Sequence, residues 1–115
     1  MNIGIDIDDT IANTFEVMFA YSQKYTAEDL KRSDKIIELE DIKTHFYCQA
    51  MHSWSKEEEI EFFKKYYEKI LIETKPFTCS IETLEELRKL GHKIILITAR
   101  FEVSSFDVKE LTINW

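Results

Sequence analysis

The sequence predicts an α/β fold in which two parallel strands, residues 2–8 and 93–98, enclose a mostly helical region. In the first segment, NIGIDID, isoleucines alternate with small or polar residues, which is the period of a strand. The second segment, KIILIT, is continuously apolar at its centre, which is typical of a strand covered on both faces. The helical spacing between the two segments supplies the crossover that parallel strands require.

Apolar residues spaced three and four apart predict helices at 12–25, 56–71, 81–90 and 103–115. Ser55 should cap the second helix, whose buried face is predicted to be Ile60, Phe63, Tyr67, Ile70 and Leu71. We expect Ser80 to cap the third helix and Gly91 to end it. No firm boundary emerges within 26–54, where Thr26 looks like a helix start and the run IIELEDIKTHFYCQAMH fits one broken helix.

The composition indicates a single small domain with a core of its own. The chain has 115 residues, of which 44% are hydrophobic and 13% aromatic. A net charge of −7 argues against a nucleic-acid polymer as partner. No window has the length of a membrane span, no signal peptide begins the chain, and two cysteines are too few for a disulfide scaffold. We therefore expect a cytoplasmic protein without a membrane partner.

Acidic residues gather directly after the first strand, at Asp6, Asp8 and Asp9. Two such charges repel by about 1–4 kcal/mol, depending on the local dielectric, so a cation, a proton or a reacting group should compensate them. Helix N-capping by Asp8 or Asp9 would explain one acid but not three. Thr98 and Arg100 follow the second strand, and the carboxyl ends of parallel strands meet at one edge, where ligands bind.

These residues carry a resemblance to a known family. A strand ending in D-x-D-x-T, at Asp6, Asp8 and Thr10, with a second buried strand ending in Thr98, resembles the haloacid dehalogenase (HAD) superfamily of phosphotransferases. The fuller string IGIDIDDTIANTF, the helical insertion and ITAR look like the 5′(3′)-deoxyribonucleotidase type. The resemblance implies a partial HAD-like Rossmannoid core and an inserted helical cap, with the core formed by 1–14 and 76–115 and the cap by 15–75.

The resemblance also implies an activity, that of a Mg²⁺-dependent phosphomonoester hydrolase of nucleotidase-like type. Asp6 would be the nucleophile that forms an aspartyl-phosphate, and Asp8 would protonate the leaving oxygen and then activate water. Mg²⁺ would lie on the Asp6 carboxylate and the Asp8 main-chain carbonyl, neutralising the repulsion between the nucleophile and the phosphate of a small-molecule phosphomonoester. The substrate phosphate would contact Asp9, Thr10, Thr98, Ala99 and Arg100.

Some features depart from the family pattern. The later motifs of the family, a Lys and further acids that complete the metal site, would follow strands that lie beyond Trp115. The resemblance therefore implies a shortened member, and the alternative function is a catalytically incomplete HAD-like protein that acts in binding or assembly. The unpaired edge of strand one predicts a homo-oligomer that covers it. A receiver-like phosphoacceptor also clusters acids after strand one, but its phosphorylated Asp would lie on a later strand.

Other residues keep more than one interpretation. Arg100 could bind phosphate, pair with the acidic loop or be a solvated surface charge. His45, Cys48 and His52 share a face if their segment is helical, but packing or exposure is favoured over zinc because no fourth ligand is near. Most aromatic residues should be core, although one or two could stack on a nucleobase.

Overall fold

The protein, described here from a computed structural model, is defined over residues 1–32, 53–103 and 105–115. Within these ranges lie two strands, four α-helices and one π-helical segment. In chain order they are β1 (Asn2–Asp6), α1 (Thr14–Lys24), the π-helical segment (Tyr25–Asp29), α2 (Lys56–Glu73), α3 (Ser80–Lys89), β2 (Lys93–Ile97) and α4 (Val108–Asn114).

The two strands form a parallel sheet, as the sequence predicts. Asn2 lies opposite Lys93 and Asp6 opposite Ile97, so the carboxyl ends of both strands meet at one edge. Helix α3 leads into β2 and packs against it. The α/β class and the pairing of the first and last predicted strands are therefore confirmed.

The first strand is shorter than the predicted 2–8, because the chain turns directly after Asp6. The Ile7 N–H still donates to Ile97 O, at 3.2 Å. The Ile7 carbonyl instead accepts three successive backbone N–H groups within 3.3 Å, those of Thr10, Ile11 and Ala12. Asp9 adopts a left-handed backbone with φ 60°, which Asp tolerates better than most residues. This turn holds the acidic residues at the end of the sheet.

The prediction that the second strand is covered on both faces was wrong. Ile95, Leu96 and Ile97 are 42%, 50% and 55% exposed. Neighbouring strand residues point to opposite faces, so both faces of β2 are open in the described part of the protein. The strand also ends at Ile97, one residue before the predicted end.

Helices α1 and α2 pack on each other around a cluster of four aromatic residues and one aliphatic residue, called here the aromatic cluster: Tyr25, Trp54, Phe62, Tyr66 and Ile70. The buried face of α2 differs from the predicted one. Ile60 is 47% exposed, whereas Phe62 and Tyr66 are buried. A second contact surface on α2, Tyr67 and Leu71, packs against Val108 of α4. Because α2 buries residues toward two neighbours, its apolar stripe is wider than a single helix face.

The predicted helix start at Thr26 was also wrong. Tyr25 keeps helical angles, φ −60° and ψ −46°, so α1 continues without a break into the π-helical segment. The Thr26 hydroxyl donates to Ser22 O and accepts the Trp54 Nε1–H, at 2.8 and 2.9 Å. Thr26 thus serves as a buried hydrogen-bonding centre and caps no helix.

The ends of α3 are defined by the backbone. Cys79, with φ 70°, precedes the helix, and Ser80 lies inside its first turn, so the predicted Ser80 cap was wrong. At the other end Gly91 has φ 91°, and its N–H donates to Arg88 O at 3.0 Å. Gly91 therefore ends the helix as predicted, because only glycine adopts this backbone without strain.

The last helix begins later than the predicted 103. The Asp107 carboxylate accepts the Glu110 N–H at 2.8 Å, so α4 starts at Val108. The Trp115 indole donates to Thr74 O at 2.9 Å and fastens this end of the chain to the end of α2.

The candidate zinc ligands His45, Cys48 and His52 lie outside the described residues, as does the broken helix predicted there. The division into a core of 1–14 and 76–115 and a cap of 15–75 stays a prediction.

We expect Ser55→Ala to lower the free energy of unfolding by about 1 kcal/mol, because the Ser55 hydroxyl accepts the Glu58 N–H at 3.2 Å and caps α2. Ser80→Ala is the matched control, since Ser80 lies within the helical turn and should tolerate the change. Urea denaturation followed by circular dichroism measures both. An equal loss in the two variants would contradict this assignment of the caps.

Candidate active site

An ion pair joins the ends of the two strands. Arg100, after β2, donates from Nε to Asp8 Oδ2 at 3.0 Å and from Nη2 to Asp8 Oδ1 at 2.8 Å. The Arg100 side chain is 2% exposed and that of Asp8 29%. Such a bidentate contact fixes the orientation of the guanidinium relative to the carboxylate as well as the distance between them. Of the three interpretations of Arg100, the structure supports pairing with the acidic loop.

Two threonines complete this network. The Thr14 hydroxyl, at the start of α1, donates to Asp8 Oδ1 at 2.6 Å. Arg100 Nη1 donates to the Thr112 hydroxyl of α4 at 3.2 Å. Helix α1 thus contacts Asp8 and helix α4 contacts Arg100, so both helices hold the ion pair.

The two neighbouring acids have opposite electrostatic environments. Burial would raise the pKa of Asp8, but the hydrogen bonds from Arg100 and Thr14, together with the Arg100 charge, outweigh burial and lower that pKa. Burial raises the pKa of Asp9, and the charges of Asp8 and Asp6 add to the effect, against the Phe15 N–H that donates to Asp9 Oδ1 at 2.8 Å. Asp8 is therefore held ionised in this arrangement.

These groups line a cavity of about 240 Å³ at the carboxyl edge of the sheet. Its polar wall holds carboxylates and a guanidinium, contributed by Asp6, Asp8, Asp9 and Arg100. Its apolar wall comes from helices α1 and α2 and from the segment after β2, with Phe15, Met18, Tyr67, Leu71, Ala99 and Phe101. The cavity thus combines an ion-binding end with an aromatic one.

The cavity brings together most of the residues proposed from the sequence: Asp6, Asp8, Asp9, Ala99 and Arg100. Thr10 instead lines a different cavity, next to Ile11 and Phe77. The Thr98 hydroxyl accepts the Arg100 N–H at 3.2 Å, which shapes the turn after β2. The roles of all seven residues remain proposals.

Sequence reasoning did not connect Thr14, Phe101 or Thr112 with the site, whereas it expected Tyr67 to be buried and counted it among the aromatic residues of which one or two could stack on a nucleobase. Tyr67 is buried, which raises its pKa to about 12, with the nearby Asp8 charge adding to the effect. Its ring stacks on that of Phe101, with centroids 4.6 Å apart and planes 9° apart. No spacing within either segment predicts this contact, because it joins the segment after β2 to helix α2.

The carboxylates of the cavity can be compared with the ligands that Mg²⁺ usually takes. Among the described residues no side chain donates a hydrogen bond to the Asp6 carboxylate, whereas both oxygens of Asp8 are bonded to Arg100. The described ranges contain no cluster of three or more His, Cys, Asp or Glu side chains suited to a metal. Mg²⁺ usually takes one or two carboxylates and completes its shell with water and substrate oxygens. The Asp6 carboxylate is a ligand of the kind that such an ion takes, and the assignment of Mg²⁺ to Asp6 and the Asp8 main-chain carbonyl stays a proposal.

Comparison with known proteins defines the class. A family model described as haloacid dehalogenase-like hydrolase matches residues 3–112, nearly the whole chain. The chain therefore belongs to the haloacid dehalogenase-like hydrolases, and the resemblance carried by Asp6, Asp8 and Thr10 is confirmed.

One curated relative is similar to most of this chain. The chain is similar to a Bacillus cereus protein named "Putative nucleotidase", with 35% identity over 105 residues, which is 87% of this chain and 51% of the relative. The chain thus spans about half the length of this curated relative.

None of the helices in the described ranges is long and apolar enough to cross a membrane.

We expect Arg100→Met, in EDTA at pH 7, to lower the free energy of unfolding by about 1.5–3 kcal/mol, because hydrogen bonds to the ionised Asp8 are lost. The folded state lowers the pKa of Asp8, so the contribution is present above the ordinary value of 3.8 and is lost as the pH falls below it. The difference from the parent should therefore be smaller at a pH well below 3.8 than at pH 7, because Asp8 is protonated there.

Urea denaturation at both pH values measures this effect. Arg100→Lys keeps the positive charge but cannot make the bidentate contact, so its free energy of unfolding should lie between those of the parent and Arg100→Met. A difference between Arg100→Met and the parent that does not change with pH would mean that packing, rather than the ion pair, accounts for the loss.

Proposed function

We propose that this chain is a Mg²⁺-dependent phosphomonoester hydrolase of the HAD type, and that it acts on nucleoside or deoxynucleoside monophosphates. The observation that carries the proposal is the cavity in which Asp6, Asp8 and Arg100 meet at the carboxyl edge of the sheet. Family membership and the similarity to a nucleotidase support it.

In the first step a carboxylate oxygen of Asp6 attacks the phosphorus atom. The bond to the leaving oxygen breaks, and that oxygen takes a proton from Asp8, which releases the alcohol and leaves an aspartyl-phosphate on Asp6. Dividing hydrolysis into two displacements lets a weak nucleophile do what water does slowly. Asp6 suits the attack because it lines the cavity and is exposed.

In the second step Asp8 takes a proton from water as the water oxygen attacks phosphorus. The bond between phosphorus and Asp6 breaks, and inorganic phosphate leaves. The same carboxyl group thus acts first as acid and then as base, which returns the site to its starting state.

The ion pair between Asp8 and Arg100 has to open before these two steps can take place. Asp8 can hold a proton only when Arg100 no longer bonds both of its oxygens. A phosphate dianion also accepts bidentate hydrogen bonds from a guanidinium, so it competes with the Asp8 carboxylate for Arg100. Substrate binding would therefore move Arg100 from Asp8 to the phosphate, with Asp9, Thr10, Thr98 and Ala99 as the remaining proposed contacts.

Mg²⁺, bound at Asp6 and the Asp8 carbonyl, would supply positive charge that offsets the repulsion between the nucleophile and the phosphate.

Other parts of the proposal rest on the sequence. They are a cytoplasmic location, a small-molecule phosphomonoester as the partner, and a second copy that covers the open edge of β1. The alternative, a catalytically incomplete protein that acts in binding or assembly, is favoured by the exposed apolar residues of β2.

We expect the parent chain to release phosphate from a panel of nucleoside monophosphates with Mg²⁺ and not with EDTA. Asp6→Asn should reduce the release to background, because an amide is not a nucleophile toward phosphorus. Malachite green detection of phosphate measures both. Asp107→Asn is the matched control, since an asparagine caps a helix as well as an aspartate and Asp107 lies outside the cavity.

If Asp6→Asn turned over substrate as fast as the parent, Asp6 would not be the nucleophile. No turnover by a parent shown to be folded would favour the binding or assembly role.

A further inference from the structure

Phe101 occupies a position between two cavities. It lines the cavity of about 240 Å³ that holds Asp6 and Asp8. It also lines a neighbouring groove of about 410 Å³, formed along α2 by Glu59, Ile60, Phe63 and Lys64 and closed by Glu102 and Val103. A group leaving the phosphate site in this direction would pass over the Phe101 ring.

The Phe101 ring contacts the buried ring of Tyr67 and the half-buried ring of Phe63. Its plane lies 9° from that of Tyr67, with the centroids 4.6 Å apart, and Phe63 meets it edge-on at 5.0 Å and 89°. Tyr67 is itself only 3% exposed. A ring ordered in advance loses little conformational freedom when a ligand stacks on it.

Phe101 nevertheless remains 46% exposed. Its contacts with Tyr67 and Phe63 therefore leave much of the ring open to solvent, beside the cavity. An exposed aromatic surface next to an ion-binding site suits a ligand with a charged end and a flat apolar end.

We propose that Phe101 is a specificity-determining residue, a stacking platform that selects phosphomonoesters whose leaving group carries a flat aromatic ring, as an aryl or a nucleobase does. This inference rests on the proposed function for its phosphate site. It assigns to Phe101 the contact with the leaving group. It also predicts that aliphatic phosphomonoesters gain no binding affinity from Phe101.

The test compares phenylphosphonate with methylphosphonate, which share the phosphonate group and differ in the ring. Binding to the full chain with Mg²⁺ is measured by isothermal titration calorimetry. The parent should bind phenylphosphonate more tightly. In Phe101→Ala this preference should fall about 5- to 150-fold, which is what one stacked ring contributes. Phe101→Leu, which keeps apolar bulk but no flat face, should retain a smaller part of it.

Phe77→Ala is the matched control, because Phe77 is also partly exposed, at 38%, but lines a different cavity. It should keep the preference of the parent. Thermal melts of all variants establish that each is folded.

Hydrolysis gives the second readout. In Phe101→Ala, kcat/KM for p-nitrophenyl phosphate and for a deoxynucleoside monophosphate should fall by a larger factor than kcat/KM for glycerol phosphate. Each ester is compared only with itself across variants, because the leaving groups differ in reactivity.

Equal affinity of the parent for the two phosphonates, binding of neither, or a preference that survives Phe101→Ala would each overturn the proposal. A parallel fall for all three esters would also overturn it, since Phe101 would then support the phosphate site alone. A phosphonate preference that depends on Phe101, in a chain without turnover, would sustain the platform while the proposed hydrolase activity fails.

Discussion

The ion pair between Asp8 and Arg100 is the contact on which the arrangement of the site depends. The two residues are 92 positions apart in the sequence, and each lies just after one of the two parallel strands. Pairing of β1 with β2 brings them to one edge, and Arg100 then reaches Thr112 of α4 while Asp8 accepts the Thr14 hydroxyl of α1. Because the guanidinium is almost fully buried, its direction is set by these partners. The repulsion among the carboxylates is offset by the positive charge of the Arg100 guanidinium.

A second constraint comes from α2, which buries residues toward two neighbours. Phe62 and Tyr66 face the aromatic cluster shared with α1, whereas Tyr67 and Leu71 face α4 and the cavity. One helix thereby connects the helical region to the site at the end of the sheet. Tyr67 of this helix also stacks on Phe101, which lines the same cavity.

The sequence was sufficient for features that depend on local chemistry. The alternation after Asn2, the cap at Ser55 and the left-handed end at Gly91 each follow from residues within one turn or strand. The acidic residues after the first strand were also evident, as was the family that their spacing indicates.

What the sequence missed depends on contacts between distant segments. The partner of Arg100 was one of three open interpretations, because the register of β1 against β2 decides it. The continuous apolar run of β2 predicted a covered strand, yet Leu96 and Ile97 are half exposed, since hydrophobicity reports what a strand could bury and not what lies over it. The stacking of Phe101 on Tyr67 joins a loop to a helix, and no spacing within either segment signals it.

The most direct measurement is to identify the residue that carries the phosphoryl group during turnover. The parent chain would be mixed with Mg²⁺ and a nucleoside monophosphate, quenched with acid, reduced with borohydride and digested for mass spectrometry. Borohydride converts an aspartyl-phosphate to homoserine and leaves other aspartates unchanged. The account predicts homoserine at position 6 alone. Homoserine at Asp8 or Asp9, or phosphate release without homoserine at any position, would contradict it.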